Sequence, residues 1–211
     1  MLRTAVASLV AIVLAWAAAA WLTHDFRVFT AEGARRLEVR ETPVTAPAVA
    51  VVGPGVEAVA LPKLLQAHGG ATIVDFVYTR CISVCAALGS GFQQLQQRIL
   101  ADDTPAGSRL RLLSVSFDPA HDDVTALERY ARDLRADPRV WRFVTVRDDV
   151  ALERLLAAFR VVVIPDGFAG YEHNAALLVV DANARLVRVF DYDQLEEALH
   201  YARSLAAIAS S

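Results

Sequence analysis

Cys81 and Cys85 are the only cysteines in this chain of 211 residues, and both fall in the stretch Cys-Ile-Ser-Val-Cys. Two thiols so close together can close a disulfide, exchange with a partner's disulfide, or hold a soft metal as thiolates. A structural bridge is the weakest of these readings, because a loop this short removes little entropy from the unfolded chain. The neighbouring residues favour reactive thiols. Residues 71–79, ATIVDFVYT, form a nearly continuous apolar run, the profile of a buried central strand. After Cys85, the apolar residues Leu88, Phe92, Leu95 and Ile99 recur at three- and four-residue steps, which predicts a helix. The cysteines therefore occupy a strand-to-helix turn. Open α/β sheets bind ligands beyond the carboxyl ends of their strands, and a helix N-terminus stabilises thiolate through its N–H groups and dipole. Arg80 adds a cation beside Cys81.

The elements that must position this turn follow in alternation. Two apolar runs around Gly53-Pro54-Gly55 predict a hairpin. Residues 109–117 read as a strand, the Asp118-Pro119 pair as a turn, and residues 122–134 as an amphipathic helix. A short strand at 141–146 and a helix at 148–159 come next. Residues 174–181 and 185–191 form a second hairpin around Ala182-Asn183, and residues 193–208 a closing helix. This order is that of a thioredoxin-like, three-layer α/β/α domain, placed here at residues 48–211.

Residues 4–23 carry no charge and are long enough to cross a bilayer as a helix. Trp16, Trp21 and that length favour a retained anchor or uncleaved signal over residues 1–23, against a signal peptide cleaved at the Ala18-x-Ala20 pattern. Arginines on both sides do not orient the span, but the short charged start resembles an export signal. The expected location is the bacterial inner membrane, single-pass, with the soluble domain in the periplasm. Residues 24–47 read as a polar, arginine-rich juxtamembrane arm. The formal charge is −3, and the basic residues, all arginine except Lys63, form no footprint for nucleic acid.

Three segments in order resemble the Sco/SenC family of copper-handling proteins: VDFVYTRCISVC, LLSVSFDPAHDDVTALERYA and GYEHNAALLVVDANARLVRVFD. The likeness runs from about residue 48 to residue 208. It implies that Cys81, Cys85 and His173 bind copper, as Cu(I), Cu(II) or both, with Asp118 close behind as an orienting or proton-accepting group. It also implies delivery to the copper A centre of cytochrome c oxidase, with the copper-bearing subunit and other copper chaperones as partners. Ligand chemistry agrees, since thiolates suit Cu(I) and imidazole suits both copper states. The sequence departs from the family at Ile82, where proline is usual, and at Glu172 and Asn174 beside the histidine; Met1 is its only methionine. The main competitor is a membrane-anchored thiol–disulfide oxidoreductase using Cys81 and Cys85 as a redox pair, although C-x-x-C is the usual spacing there. Zinc in the same ligand set and a peroxidase are weaker alternatives: no general base accompanies the first, and Thr79 stands two residues, not three, before Cys81. His24, His68, His121 and His200 lack the context of His173.

Overall fold

The computed structural model describes residues 2–23, 25–81, 84–167 and 170–208, with the side chains of residues 2 and 84–87 excepted. At its centre are three parallel strands, β4 (Ala71–Val77), β5 (Leu110–Ser116) and β6 (Trp141–Thr145). All seven residues of β4 are buried, as a strand covered on both faces requires. Antiparallel strands extend the sheet on both sides. The hairpin β2 (Ala50–Gly53) and β3 (Val56–Ala60) joins beside β6, while β9 (Ala176–Val180), β10 (Arg185–Asp191) and the short β1 (Val44–Thr45) follow beyond β4. The β2–β3 turn needs its glycines. Gly55 has a positive φ of 65°, and a Cβ at Gly53 would lie 1.9 Å from the Phe143 carbonyl oxygen.

Helices cover both faces. One apolar layer contains Val39 of α2 (Ala31–Glu41), Leu61 and Leu65 of α3 (Leu61–Gln66), and Leu152, Leu155 and Phe159 of α6 (Asp149–Phe159). The opposite layer takes Leu88, Phe92, Leu95 and Ile99 of α4 (Val84–Leu100), Leu127 of α5 (Val124–Asp133), and Ala198, Leu199, Ala202 and Ala206 of α7 (Leu195–Ile208). The helical spacing read after Cys85 thus describes the buried face of α4. The helices start where local chemistry places them: the Asp123 and Asp148 side chains accept from the Ala126 and Ala151 N–H groups, both at 2.7 Å.

Among the elements not foreseen in the sequence, two groups bear on the site and its setting. Residues 24–47, expected as a polar arm, hold α2 and β1. Helix α2 lies against β10 and is tied down by residues far along the chain: buried Arg35 donates to the Phe159 carbonyl at 3.1 Å, Arg36 pairs with Asp191, and Glu38 pairs with Arg160. The second is a small hairpin outside the main sheet, β7 (Val163–Pro165) with β8 (Tyr171–His173). At the other end, α1 (Leu2–Leu22) is long and apolar enough to cross a membrane, and it leaves Leu9, Ile12, Trp16 and Trp21 exposed.

Candidate metal centre

The site is built at the carboxyl ends of β4 and β5, where the chain leaves the sheet as Tyr78-Thr79-Arg80-Cys81. Buried Asp122 holds this turn. Its carboxylate accepts from the Thr79 N–H at 3.0 Å, the Thr79 hydroxyl at 2.6 Å and the Ser116 hydroxyl at 2.6 Å. Three donors converge on this one buried carboxyl group, so the segment before Cys81 is pinned to the end of β5. Nothing in the sequence singles out Asp122. Asp122 and Asp123 are adjacent and identical in type, yet one faces inward to the turn and the other caps α5.

Asp118, expected near this rim, is buried, with 2 % of its surface exposed. The Arg80 guanidinium donates to its Oδ2 at 2.9 Å, and the His121 Nδ1 lies 2.9 Å from its Oδ1. Arg80 also stands 3.0 Å from His121 Nδ1, so the three side chains form one cluster over the turn. His121 is half exposed, in keeping with an exposed helix entry, but it is anchored by Asp118. Arg80 is drawn toward Asp118 and away from a role as an isolated cation beside the thiol.

His173 arrives from the other side, at the end of β8. The Tyr78 hydroxyl accepts from the Tyr171 N–H at 3.2 Å and donates to the Tyr171 carbonyl at 3.4 Å, fastening β8 to the cysteine-bearing turn. The rings of Tyr78, Phe117 and Tyr171 pack with centroids 5.3–5.6 Å apart, and the His173 ring meets Phe117 edge-on at 5.1 Å. Cys81, half-buried, packs against the same apolar cluster that contains Tyr78 and Phe117. Burial lowers the His173 pKa to about 4, so its imidazole is neutral at neutral pH, the form that ligates a metal. Cys85 falls in the first turn of α4, and its side chain lies outside the described residues, as does Ile82. Among the described residues no group of three His, Cys, Asp or Glu side chains forms a metal cluster.

The sequence profile of the SCO1/SenC family matches residues 65–209. The chain belongs to that family. The family match spans the cysteine turn, the Asp118 cluster and His173 together. The SCO1 protein homolog of Bacillus subtilis is 24 % identical over 136 residues, 64 % of this chain and 67 % of that protein. Among solved structures, that of BsSco, described as a member of the Sco family of cytochrome c oxidase assembly proteins with a disulfide switch, superposes with a TM-score of 0.66. It shares 18 % identity over 79 % of this chain and 96 % of that one. Copper-bound ScoI of Arabidopsis thaliana gives 0.65 at 15 % identity, over 77 % and 98 % of the two chains. These likenesses bear out the thioredoxin-like α/β fold.

A further buried acid stands beneath the site. Asp75, on β4, faces the layer of α4 and α7, where the Trp141 indole donates to the Ser114 hydroxyl at 2.9 Å. An indole N–H can only donate, so Ser114 turns its own hydrogen to Asp75. The Asp75 Oδ1 has no hydrogen-bond partner. Burial raises this carboxyl to about 7, against the opposing pull of the Ser114 hydrogen bond. The apolar profile that made β4 legible as a strand also concealed this residue.

Proposed function

We propose that this protein carries copper as cargo on Cys81, Cys85 and His173 and delivers it to the copper-bearing subunit of cytochrome c oxidase. On this reading α1 is a retained anchor, and the domain works in the periplasm at the face of the bacterial inner membrane. The observation that carries the reading is the fastening of the His173 hairpin to the Cys81 turn through Tyr78. Chain positions 92 residues apart are thereby held on one rim, with the imidazole neutral. Two thiolates and one imidazole make a soft, low-coordinate set from which an ion can pass to another thiolate site. The copper-bound ScoI relative and the description of BsSco as an oxidase assembly protein support it. Asp118 orients the rim through Arg80 and His121 and is not itself assigned as a ligand.

The test is copper binding by the reduced full-length chain, with X-ray absorption to count ligands. The expected outcome is a single copper with two sulfur neighbours and at least one nitrogen. Cys85→Ser should abolish retention, and His173→Ala should weaken it by about tenfold or more. Four sulfur neighbours, or retention unchanged by Cys85→Ser, would overturn the assignment.

A second reading, thiol–disulfide exchange, is favoured by the placement of both cysteines at a strand-to-helix turn and by the disulfide switch described for BsSco. In that reaction the two thiols close to a disulfide as one partner disulfide opens to two thiols. The imidazole has no part in it. Copper delivery therefore predicts that His173→Ala fails to restore oxidase activity in a deletion strain at low copper while still reducing a model disulfide. Full restoration by His173→Ala, with none by Cys81→Ser, would replace copper delivery with the reductase.

A further inference from the structure

Between α2 and β10 lies a cleft of about 400 Å³ that the metal centre does not use. Four arginines line it, Arg27, Arg36, Arg40 and Arg188, together with the apolar Leu37 and Phe190; no carboxylate does. Two of the arginines have their charge matched nearby, Arg27 by Glu41 and Arg36 by Asp191 and Glu32. Arg40 and Arg188 make no ion pair with any described carboxylate. Arg188 instead lies over the rings of Phe190 and Tyr201, at 5.8 and 5.4 Å from their centroids, which holds its guanidinium in place. The cleft therefore carries about two unmatched positive charges in a concave, partly apolar setting, the complement of a singly or doubly charged phosphate.

Its position is set by α1. That helix ends at Leu22, and the Arg27 N–H bonds back to the Thr23 carbonyl at 3.0 Å. This keeps residue 27 within roughly one further helical turn, about 5 Å, of the end of the span. The headgroup zone on each side of a bilayer is of the same order, about 5–7 Å. Trp21, Phe26 and Phe29 stand exposed along the connection, at 80, 42 and 76 %, as residues of a membrane interface do. With α1 as a span, Arg27 of the cleft lining thus stands at the level of the lipid phosphates.

We propose that this cleft binds the phosphate of an anionic membrane lipid, so that the domain is fixed to the bilayer surface at a second point besides α1. The proposal rests on α1 being retained as a membrane span. Binding at two points restricts rotation of the domain about the anchor, which a single helix would leave free.

The test uses the full-length chain in nanodiscs of phosphatidylcholine, with or without phosphatidylglycerol, released into native mass spectrometry. The intact chain should retain phosphatidylglycerol in preference to phosphatidylcholine. Arg40→Ser with Arg188→Ser should lower that retention at least tenfold, while Arg129→Ser with Arg132→Ser on α5 should leave it unchanged. Equal losses in the two double variants, or no loss in the first, would overturn the proposal. Displacement of the lipid by equimolar inorganic phosphate would make the cleft a site for free anions and would also overturn it. The same spectra give the chain's mass. A chain lacking residues 1–22 would refute the anchor and this proposal together, whereas an intact chain with no arginine-dependent retention would refute the lipid site alone.

Discussion

Asp75, Asp118 and Asp122 are three buried carboxyls within reach of one strand-end region, and each is handled differently. Asp122 is satisfied three times over, so its loss should act through the turn it holds. Asp122→Ala removes the acceptor of all three bonds, leaves the Thr79 N–H without it, and should cost about 2–4 kcal/mol in urea unfolding. Copper retention should fall with it, since Cys81 follows two residues after Thr79. Tyr78→Phe is milder. It removes one hydroxyl that serves both polar groups of Tyr171, and should cost about 1–2 kcal/mol while speeding amide exchange at Tyr171. Unchanged exchange there would show that ring packing alone holds the hairpin. Asp75 is the pH-sensitive member. Its folded pKa, about 7, lies above its ordinary value of 3.8, so the folded state holds the proton more tightly than the unfolded chain. Its contribution is therefore fully present in acid and is lost as pH rises toward and through 7, at up to about 1.4 kcal/mol per pH unit. Asp75→Asn, which resembles the protonated acid in shape and charge, should flatten the dependence of the urea midpoint between about pH 4 and pH 7. A wild-type midpoint that rises over this range would contradict the assignment.

At the scale of elements, legibility followed the strength of local patterning. Strands β4 and β5 and helices α4 to α7 carry long apolar periodicities, and they stand where the spacing put them. Hairpin β7–β8 carries none: Pro165, Gly167 and Gly170 interrupt it, and what holds it is the Tyr78 hydroxyl, 93 residues away in sequence. Helix α2 was hidden for the same kind of reason. Its sequence, AEGARRLEVRE, looks like a solvated segment, and its place is settled by Phe159, Arg160 and Asp191. The candidate site divides along this line too. Cys81, Cys85, His173 and Asp118 could be named from residue type, order and resemblance, whereas Asp122 and the clamp by Tyr78 depend on register between distant segments. The role of α2 can be measured directly. A chain starting at residue 43, compared with one starting at residue 28, uncovers Val39's share of the core and breaks the bond from Arg35 to Phe159. It should melt about 5–10 °C lower, corresponding to a loss of roughly 2–4 kcal/mol. Equal melting temperatures would make α2 an appendage of the domain and not part of it.

For the whole molecule, the docking of α2 has a consequence in how partners meet. With α2 packed on β10, only residues 23–30 join α1 to the folded body, a connection of roughly 15 Å even if it were a flexible coil. Under the proposed function, a recipient subunit in the same membrane is then sought by lateral diffusion across a plane, and not through the volume of a compartment. A tether this short corresponds to an effective concentration on the order of millimolar once carrier and recipient lie side by side. Weak docking contacts suffice for transfer at such a concentration, and the two can part quickly afterwards. Lengthening the connection with a flexible glycine-serine insert between Phe29 and Thr30 should leave copper binding intact while slowing oxidase maturation in cells, because the encounter is diluted and not the ligand set. On that proposal, the cysteine turn would set how firmly the ion is held, and the shortness of the leash how often it finds somewhere to go.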